Sequence, residues 1–185
     1  MILPIVQTGD PVLRQAAQSV DPAWIGTKEF RSLVADMVET MRAAPGVGLA
    51  APQVGQSLQI VVLEDPEDAI DEMDDDYVDE RDRQGVQLTV LVNPTIEPIG
   101  DEMVSFHEGC LSVSGFAGLT PRHKRVRVRA LDESGTAIEL DWHGWPARIL
   151  QHELDHLAGR LYIDRMDPRT FATVENLQRY GVDED

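Results

Sequence analysis

Apolar residues recur at helical spacing in three segments of the chain. The first covers residues 27–44 and ends at Pro45 and Gly46. The second, GWPARILQHELDHLAG, has Pro146 in a position suited to a first turn and Gly159 in a position suited to a C-terminal cap. The third, DPRTFATVENLQRY, begins with a helix-starting Asp-Pro pair, and three of its residues would face inward: Phe171, Val174 and Leu177. The spacing therefore predicts an N-terminal, a central and a C-terminal helix.

Strands are predicted where apolar and polar residues alternate or where β-branched residues cluster. The segments LQIVVLE (58–64) and VQLTVLVNP (86–94) are expected to pair with each other. Alternating valine and arginine from residue 125, followed by a turn at 132–135, predicts a hairpin whose second strand covers 137–142. The short RLYID segment also resembles a strand. Hairpins with few helices favour an α+β fold in which antiparallel β-sheets pack around the central helix.

Length and charge narrow the class of protein. The chain has 185 residues and 42% hydrophobic positions, which suits a single domain over residues 1–185. Its net charge of −17 argues against binding to DNA or to an anionic membrane. Residues 64–84 contain twelve acids against two arginines, and we interpret them as an acidic surface insert. A solvated loop is one reading of this insert, and a partner or cation site is the other.

The chain shows no signal-like N-terminus and no run of eighteen apolar residues. Cys110 is the only cysteine, so no disulfide can form within the chain, and a reducing compartment is expected. We therefore predict a cytoplasmic bacterial protein, with the mature form of an organellar protein as the alternative.

The central helix contains an H-E-x-x-H pattern. Residues four apart lie on one helix face, so His152 and His156 can present ring nitrogens to one metal ion, with Glu153 beside them as a proton acceptor. The alternative is two histidines that form ordinary hydrogen bonds in the core. A catalytic ion of this type needs a third protein ligand and an open position, and no histidine follows Gly159. Cys110 is the candidate, because a thiolate is a strong soft donor, although a lone cysteine can also be a small buried apolar residue.

Three motifs then make the chain resemble the peptide deformylases. They are GVGLAAPQVG (46–55), EGCLSV (108–113) and QHELDH (151–156), and they stand in the order found in that family. The similarity extends from DPVLRQ near the start to DRMDPRTF near the end. The resemblance implies a hydrolase that removes the formyl group from the N-terminal methionine of nascent polypeptides and releases formate.

The resemblance also implies roles for individual residues. The ligands of one divalent ion would be Cys110, His152 and His156, and Glu153 would be the general base and acid. The ion would be Fe²⁺ in the cell, with Zn²⁺, Ni²⁺ or Co²⁺ as further occupants of purified protein. The remaining catalytic groups would be two donors to the developing oxyanion, the Gln53 amide and the Leu111 backbone N–H.

The substrate-binding residues follow from the same resemblance. The backbone of Gly46, Val47 and Gly48 would pair with the substrate peptide as an added strand. Trp145 and Arg148 lie seven and four residues before His152 and hence near the same helix face, where they should border the methionine pocket. The pocket would be completed by two apolar residues, Val47 and Ile149. Core packing of the tryptophan and solvent exposure of the arginine are the alternatives.

Two more family features bear on the site. Glu108 and Arg122 match an ion pair that would brace the cysteine loop. Where many relatives continue with proline and an arginine that contacts substrate, this chain has Ser114 and Ala117. The expected partners are N-formylmethionyl nascent peptides and the ribosome near its exit tunnel, and the expected state is a monomer or weak dimer.

Two rival functions remain open on the sequence. A metallopeptidase with the H-E-x-x-H motif would share the activated water, but the third ligand argues against it. A metal-stabilised binding module at the ribosome would need neither Glu153 nor Gln53, and its metal site would normally be closed by a fourth ligand.

Overall fold

The first sheet of the structure, a computed structural model that describes residues 1–181, has five antiparallel strands. In chain order they are β1 (Gly48–Ala50), β2 (Ile60–Asp65), β3 (Val86–Pro98), β6 (Arg125–Leu131) and β7 (Ala137–His143). In space the order is β1-β2-β3-β6-β7, so β1 lies at one edge. The predicted pairing of β2 with β3 is confirmed, as is the β6–β7 hairpin, in which Arg125 lies opposite His143.

A second sheet consists of three antiparallel strands. It is formed by β4 (Met103–Cys110), β5 (Val113–His123) and the short β8 (Ala172–Thr173), in the order β4-β5-β8. The pairing of β4 with β5 shifts register after Gly109, and Cys110 faces Val113 across the tight turn that follows. This turn holds the only cysteine at the end of a strand, where its side chain can leave the plane of the sheet.

Two helices sandwich the first sheet. On one side, α1 (Lys28–Ala43) starts at Thr27, whose hydroxyl caps the Phe30 N–H, and it buries one apolar face. On the other side, α4 (Gly144–Leu157) buries Leu150 and Leu154 against the strands. Side chains of β2 alternate between the two layers, since Ile60 and Val62 pack with α1 while Val61 and Leu63 pack with α4. The predicted α+β fold, with antiparallel sheets around the H-E-x-x-H helix, is confirmed.

The acidic segment is not the solvated loop that its composition suggested. It forms two short helices, α2 (Glu67–Ile70) and α3 (Asp75–Glu80), between β2 and β3. Ile70 is buried, and the Arg83 guanidinium makes a two-pronged ion pair with Asp65 at 2.9 and 3.0 Å. A few apolar and basic residues therefore anchor a segment whose acids remain mostly exposed.

Two predictions for the C-terminal part were wrong in detail. RLYID is not a strand, because the chain enters a 3₁₀ turn (Tyr162–Asp164) in which the Asp164 carboxylate accepts the Leu161 N–H. The last helix, α5 (Val174–Tyr180), exists but begins at a Thr173 cap and not at residue 167. β8 intervenes, and Phe171 and Val174 are exposed and not turned inward as predicted.

No helix in residues 1–181 is long and apolar enough to cross a membrane.

Candidate metal centre and active-site cleft

Cys110, His152 and His156 converge at the junction of the second sheet and α4. Each offers one ligand atom, and these three atoms lie within 4.8 Å of one another. The Cys110 Sγ is 3.4 Å from the His156 Nε2, and the two imidazole rings are 5.2 Å apart between centroids. The helix supplies the two histidines one turn apart, and the β4–β5 turn brings the thiol to them.

This donor set fits a divalent transition metal. Two imidazoles and a thiolate suit iron, zinc, nickel or cobalt better than magnesium or calcium, which prefer oxygen ligands. Three protein ligands also leave a fourth position open, as catalytic sites require. The His152 Nδ1 contacts Glu108 at 2.9 Å, so the other ring nitrogen is the one directed to the cluster. Cys110, His152 and His156 therefore fit the divalent metal ion that the sequence implied.

Glu108 connects the ligand helix to the second sheet. It is buried and accepts hydrogen bonds from Arg122 Nε at 2.9 Å and from Arg148 Nη1 at 2.6 Å, in addition to its contact with His152. The predicted ion pair of Glu108 with Arg122 is confirmed. Burial alone would raise the pKa of Glu108, but the hydrogen bonds from Arg122 and His152 outweigh it and hold the pKa well below its usual range. Glu108 is therefore a carboxylate at neutral pH, and this charge orients His152.

A second buried carboxylate extends this network on the far side of Arg122. Asp155 accepts from Arg122 at 2.5 Å, from Arg165 at 2.7 Å and from Arg160 at 3.1 Å. Burial would raise the pKa of Asp155, but Arg165 and Arg122 outweigh it and lower the pKa. Asp155 thus clamps the chain after α4 onto the helix that carries both histidines.

Replacing Asp155 by asparagine is expected to lower the free energy of unfolding at pH 7 by about 3 kcal/mol, because it removes one partner of a buried ion network. Because the pKa of Asp155 is lower in the folded state, its contribution is complete above the unfolded pKa of about 3.9, declines as the pH falls below that value and is lost once the pH has passed through the lower folded pKa. Denaturant unfolding of wild type and variant at pH 7 and pH 3 measures the loss of unfolding free energy and its dependence on pH. Asp141→Asn, which breaks an exposed pair with Arg127, is the matched control. A loss that is equal at the two pH values would contradict the assignment.

Glu153 is placed for proton transfer next to the ligand cluster. It is 4% exposed, and its Oε2 has no hydrogen-bond partner among residues 1–181. Burial raises the pKa of Glu153 to about 7. The backbone of β1 passes so close that a Cβ on Gly48 would lie 2.5 Å from the Glu153 Oε1. Only glycine at this position leaves room for the carboxylate.

Gln53 presents its amide N–H groups to the same place. Its Oε1 accepts the Ala50 N–H at 2.8 Å, which fixes the orientation of the amide. The Nε2 lies 3.7 Å from the Cys110 Sγ and 3.4 Å from the Ser112 Oγ. A buried donor is therefore aimed at the space beside the thiol.

A cleft of about 420 Å³ opens over these groups. Its walls contain every predicted site residue except His156, which is buried more deeply: Gly46, Val47, Gly48, Gln53, Cys110, Leu111, Trp145, Arg148, Ile149, His152 and Glu153. The structure adds lining residues that the sequence reasoning missed: Tyr77, His107, Phe116 and Val174. An aromatic residue within an acidic run was the one available signal for Tyr77.

Arg148 lines the cleft in a different way from the expected pocket residue. It is buried, and its guanidinium is occupied by Glu108 and by two backbone carbonyls, those of Thr120 at 2.8 Å and Val104 at 2.5 Å. The alternative of a solvent-exposed arginine is therefore wrong. The Arg148 guanidinium therefore holds the cleft wall together through these bonds. The part of the side chain that is not engaged in them borders the cavity.

Comparisons with known proteins agree with this geometry. The family model described as polypeptide deformylase matches residues 2–172. The chain is 49% identical over 173 residues to peptide deformylase 1A, chloroplastic, of Solanum lycopersicum. This alignment covers 94% of this chain but only 62% of that protein. It is 49% identical to peptide deformylase 1 of Streptomyces coelicolor, over 92% of this chain and 76% of that protein. The Met-Ala-Ser-bound crystal structure of class I type b peptide deformylase from Acinetobacter baumannii superposes with a TM-score of 0.79, at 34% identity, over 90% of this chain and 99% of that one.

Proposed function

Because the chain belongs to the polypeptide deformylase family, we propose that it is a metal-dependent hydrolase that removes the formyl group from N-terminal formylmethionine and releases formate. The observation that carries this proposal is the convergence of Cys110, His152 and His156 beside the buried Glu153. When bound, a divalent ion held by these three ligands would act as a Lewis acid, making water more acidic and stabilising negative charge on the formyl oxygen.

Proton transfer is assigned to Glu153. Its carboxylate takes a proton from the attacking water and later gives that proton to the leaving amine of methionine. The raised pKa of this buried group, about 7, suits both directions of transfer near neutral pH. The products are formate and a free amino terminus.

Stabilisation of the tetrahedral oxyanion is assigned to Gln53 and Leu111. The Gln53 Nε2 is held by the bond of its Oε1 to Ala50, so the donor does not need to reorganise during reaction. Leu111 lies in the turn that follows Cys110, where its backbone N–H is the second proposed donor. The Gln53 donor, preorganised by its bond to Ala50, and the Leu111 N–H would together favour charge on the formyl oxygen.

The substrate backbone is proposed to pair with β1. This strand is at the edge of the five-stranded sheet, and Gly46, Val47 and Gly48 all line the cleft. An extended peptide can therefore join the sheet through backbone hydrogen bonds, while its first side chain enters the space near Val47, Trp145 and Ile149. Backbone pairing explains how one enzyme could accept nascent chains of many sequences.

The finer assignments follow from the same proposal. Fe²⁺ is the proposed metal in the cell, as the family resemblance implies. The thiolate and imidazole ligands can also hold Zn²⁺, Ni²⁺ or Co²⁺. The proposed compartment is the bacterial cytoplasm, or an organelle for a processed form. Nascent formylmethionyl peptides at the ribosomal exit tunnel are the proposed substrates, processed by a monomer or weak dimer.

Purified metal-loaded protein is expected to release formate from formyl-Met-Ala-Ser and to leave acetyl-Met-Ala-Ser intact. The reason is steric, since an acetyl methyl must fit where the formyl group has one hydrogen. Formyl-Gly-Ala-Ser should be poorer by about 10-fold or more in kcat/KM, because it buries no side chain. A formate assay and mass spectrometry provide the readouts. Cleavage of internal peptide bonds would indicate a peptidase, and no reaction with any metal would indicate a binding module.

A further inference from the structure

Tyr77 reaches the cleft from the acidic segment. It lies on α3, whose first turn is capped by the Asp74 carboxylate, which accepts the N–H groups of Asp76 and Tyr77 at 3.1 and 3.3 Å. The Tyr77 side chain lines the same cavity as Trp145 and the ligand cluster, and it is 37% exposed. An aromatic surface is therefore available to whatever occupies the cleft.

Stacked side chains connect Tyr77 to one particular side of the cleft. The Arg81 guanidinium carbon lies 3.9 Å from the Tyr77 ring centroid and 4.7 Å from the Phe106 ring centroid. Phe106 in turn packs edge to face on Trp145, with ring centroids 6.3 Å apart. This aromatic–cation stack (Tyr77, Arg81, Phe106, Trp145) places Tyr77 on the side of the cleft that Trp145 forms.

The acidic segment is fixed at both ends of this stack, so the position of Tyr77 is set by the fold. Before α3, Ile70 is buried. After α3, the backbone carbonyl of Asp82 accepts a hydrogen bond from the backbone N–H of Trp145 at 3.3 Å, and Arg83 forms an ion pair with Asp65. The first of these bonds joins the segment directly to the start of α4, the helix that carries the metal ligands.

We propose that Tyr77 is a specificity-determining residue that forms one wall of the pocket for the first side chain of the substrate peptide. The inference rests on the proposed function, because it takes the first residue of a peptide to be the occupant. An unbranched, flexible thioether fits a pocket between aromatic rings, since sulfur makes favourable contacts with ring edges. Tyr77 would therefore favour methionine over short side chains, and the acidic segment would be an element of substrate selection.

Binding of the product-like peptide Met-Ala-Ser to nickel-loaded protein tests this wall directly by calorimetry. Tyr77→Ala is expected to raise the Kd by about 10-fold, the effect of losing much of an apolar side-chain contact. Tyr77→Phe should stay within about twofold of wild type, because the ring and not the hydroxyl makes the contact. Tyr180→Ala is the matched control, since Tyr180 is 70% exposed on α5 and does not line the cleft. Thermal melting confirms that each variant is folded.

The same titration with Ala-Ala-Ser separates a pocket wall from general damage. Its first side chain is too short to reach an aromatic wall, so Tyr77→Ala should change its affinity by less than about twofold. An unchanged Kd for Met-Ala-Ser in Tyr77→Ala, or an equal loss for both peptides, overturns the proposal. Failure of the proposed function has a different signature, because wild-type protein would then release no formate from formyl-Met-Ala-Ser whatever the binding data show.

Discussion

Glu153→Ala is expected to lower kcat for formyl-Met-Ala-Ser by about 10²- to 10⁴-fold, the usual contribution of a positioned acid–base group. The bound metal should remain, because Glu153 is not one of the three residues whose ligand atoms converge. A rate assay combined with metal analysis of the same preparation measures both effects. The small remaining rate would come from the metal and the oxyanion donors.

The matched control for this experiment is Glu102→Ala. Glu102 is an exposed glutamate that forms an ion pair with Lys124, and it lies far along the chain from the ligand helix. Its replacement should leave both kcat and the metal content unchanged. If Glu153→Ala lost its metal, or kept more than about one per cent of the wild-type rate, the proton-transfer role would have to be abandoned.

Cys110→Ala is expected to weaken metal binding so far that the protein loses its metal, and the activity is then lost as well. Mutation of groups that merely orient metal ligands commonly weakens affinity by about 10- to 100-fold, so removal of a ligand should exceed that range. Two imidazoles would remain, and they make a poor site for a catalytic ion without a third protein ligand. Metal titration of the chelator-treated protein, monitored by calorimetry, measures the change in affinity.

A histidine outside the cluster provides the control for metal binding. His143 is the last residue of β7, directly before α4, and it contacts Asp82 and not the ligand residues. His143→Ala should bind metal with wild-type affinity, whereas His156→Ala should behave like Cys110→Ala. Wild-type affinity in Cys110→Ala would show that the thiol is not a ligand.

The candidate metal site was predictable mainly because two of its three residues lie one turn apart on the same helix. Two histidines four apart on a helix share a face whatever the rest of the fold does, and the lone cysteine was the remaining soft ligand. The structure brings the three together from α4 and the β4–β5 turn. Among the strands, β2 and β3 were also predictable, because they are rich in Val, Ile and Leu and have helices packed on both faces. The three strands of the second sheet were not predicted.

Features that depend on contacts far apart in the chain were not predictable. Glu108 forms hydrogen bonds with three residues from two elements, Arg122, Arg148 and His152, and no local pattern encodes this. Tyr77 reaches the cleft because Arg81 and Arg83 dock a segment whose composition resembles a loop. Near the C-terminus, Phe171 leaves its expected inward position to stack on Phe116, with ring centroids 4.9 Å apart. In each of these places tertiary contacts outweigh the local periodicity.

The proposed pairing of the substrate with the edge strand β1 has a consequence for when deformylation could occur. A site that receives its partner as an added strand accepts only backbone that is extended and has free hydrogen-bonding groups. The first residues of a finished protein are often already paired in a sheet or helix, and under the proposed binding mode such a terminus could not lie along Gly46, Val47 and Gly48. Removal of the formyl group therefore has to occur before the first residues of the chain are folded into a helix or sheet. If the proposed function holds, proteins whose N-terminal strand folds early should retain the formyl group most often when this protein is scarce.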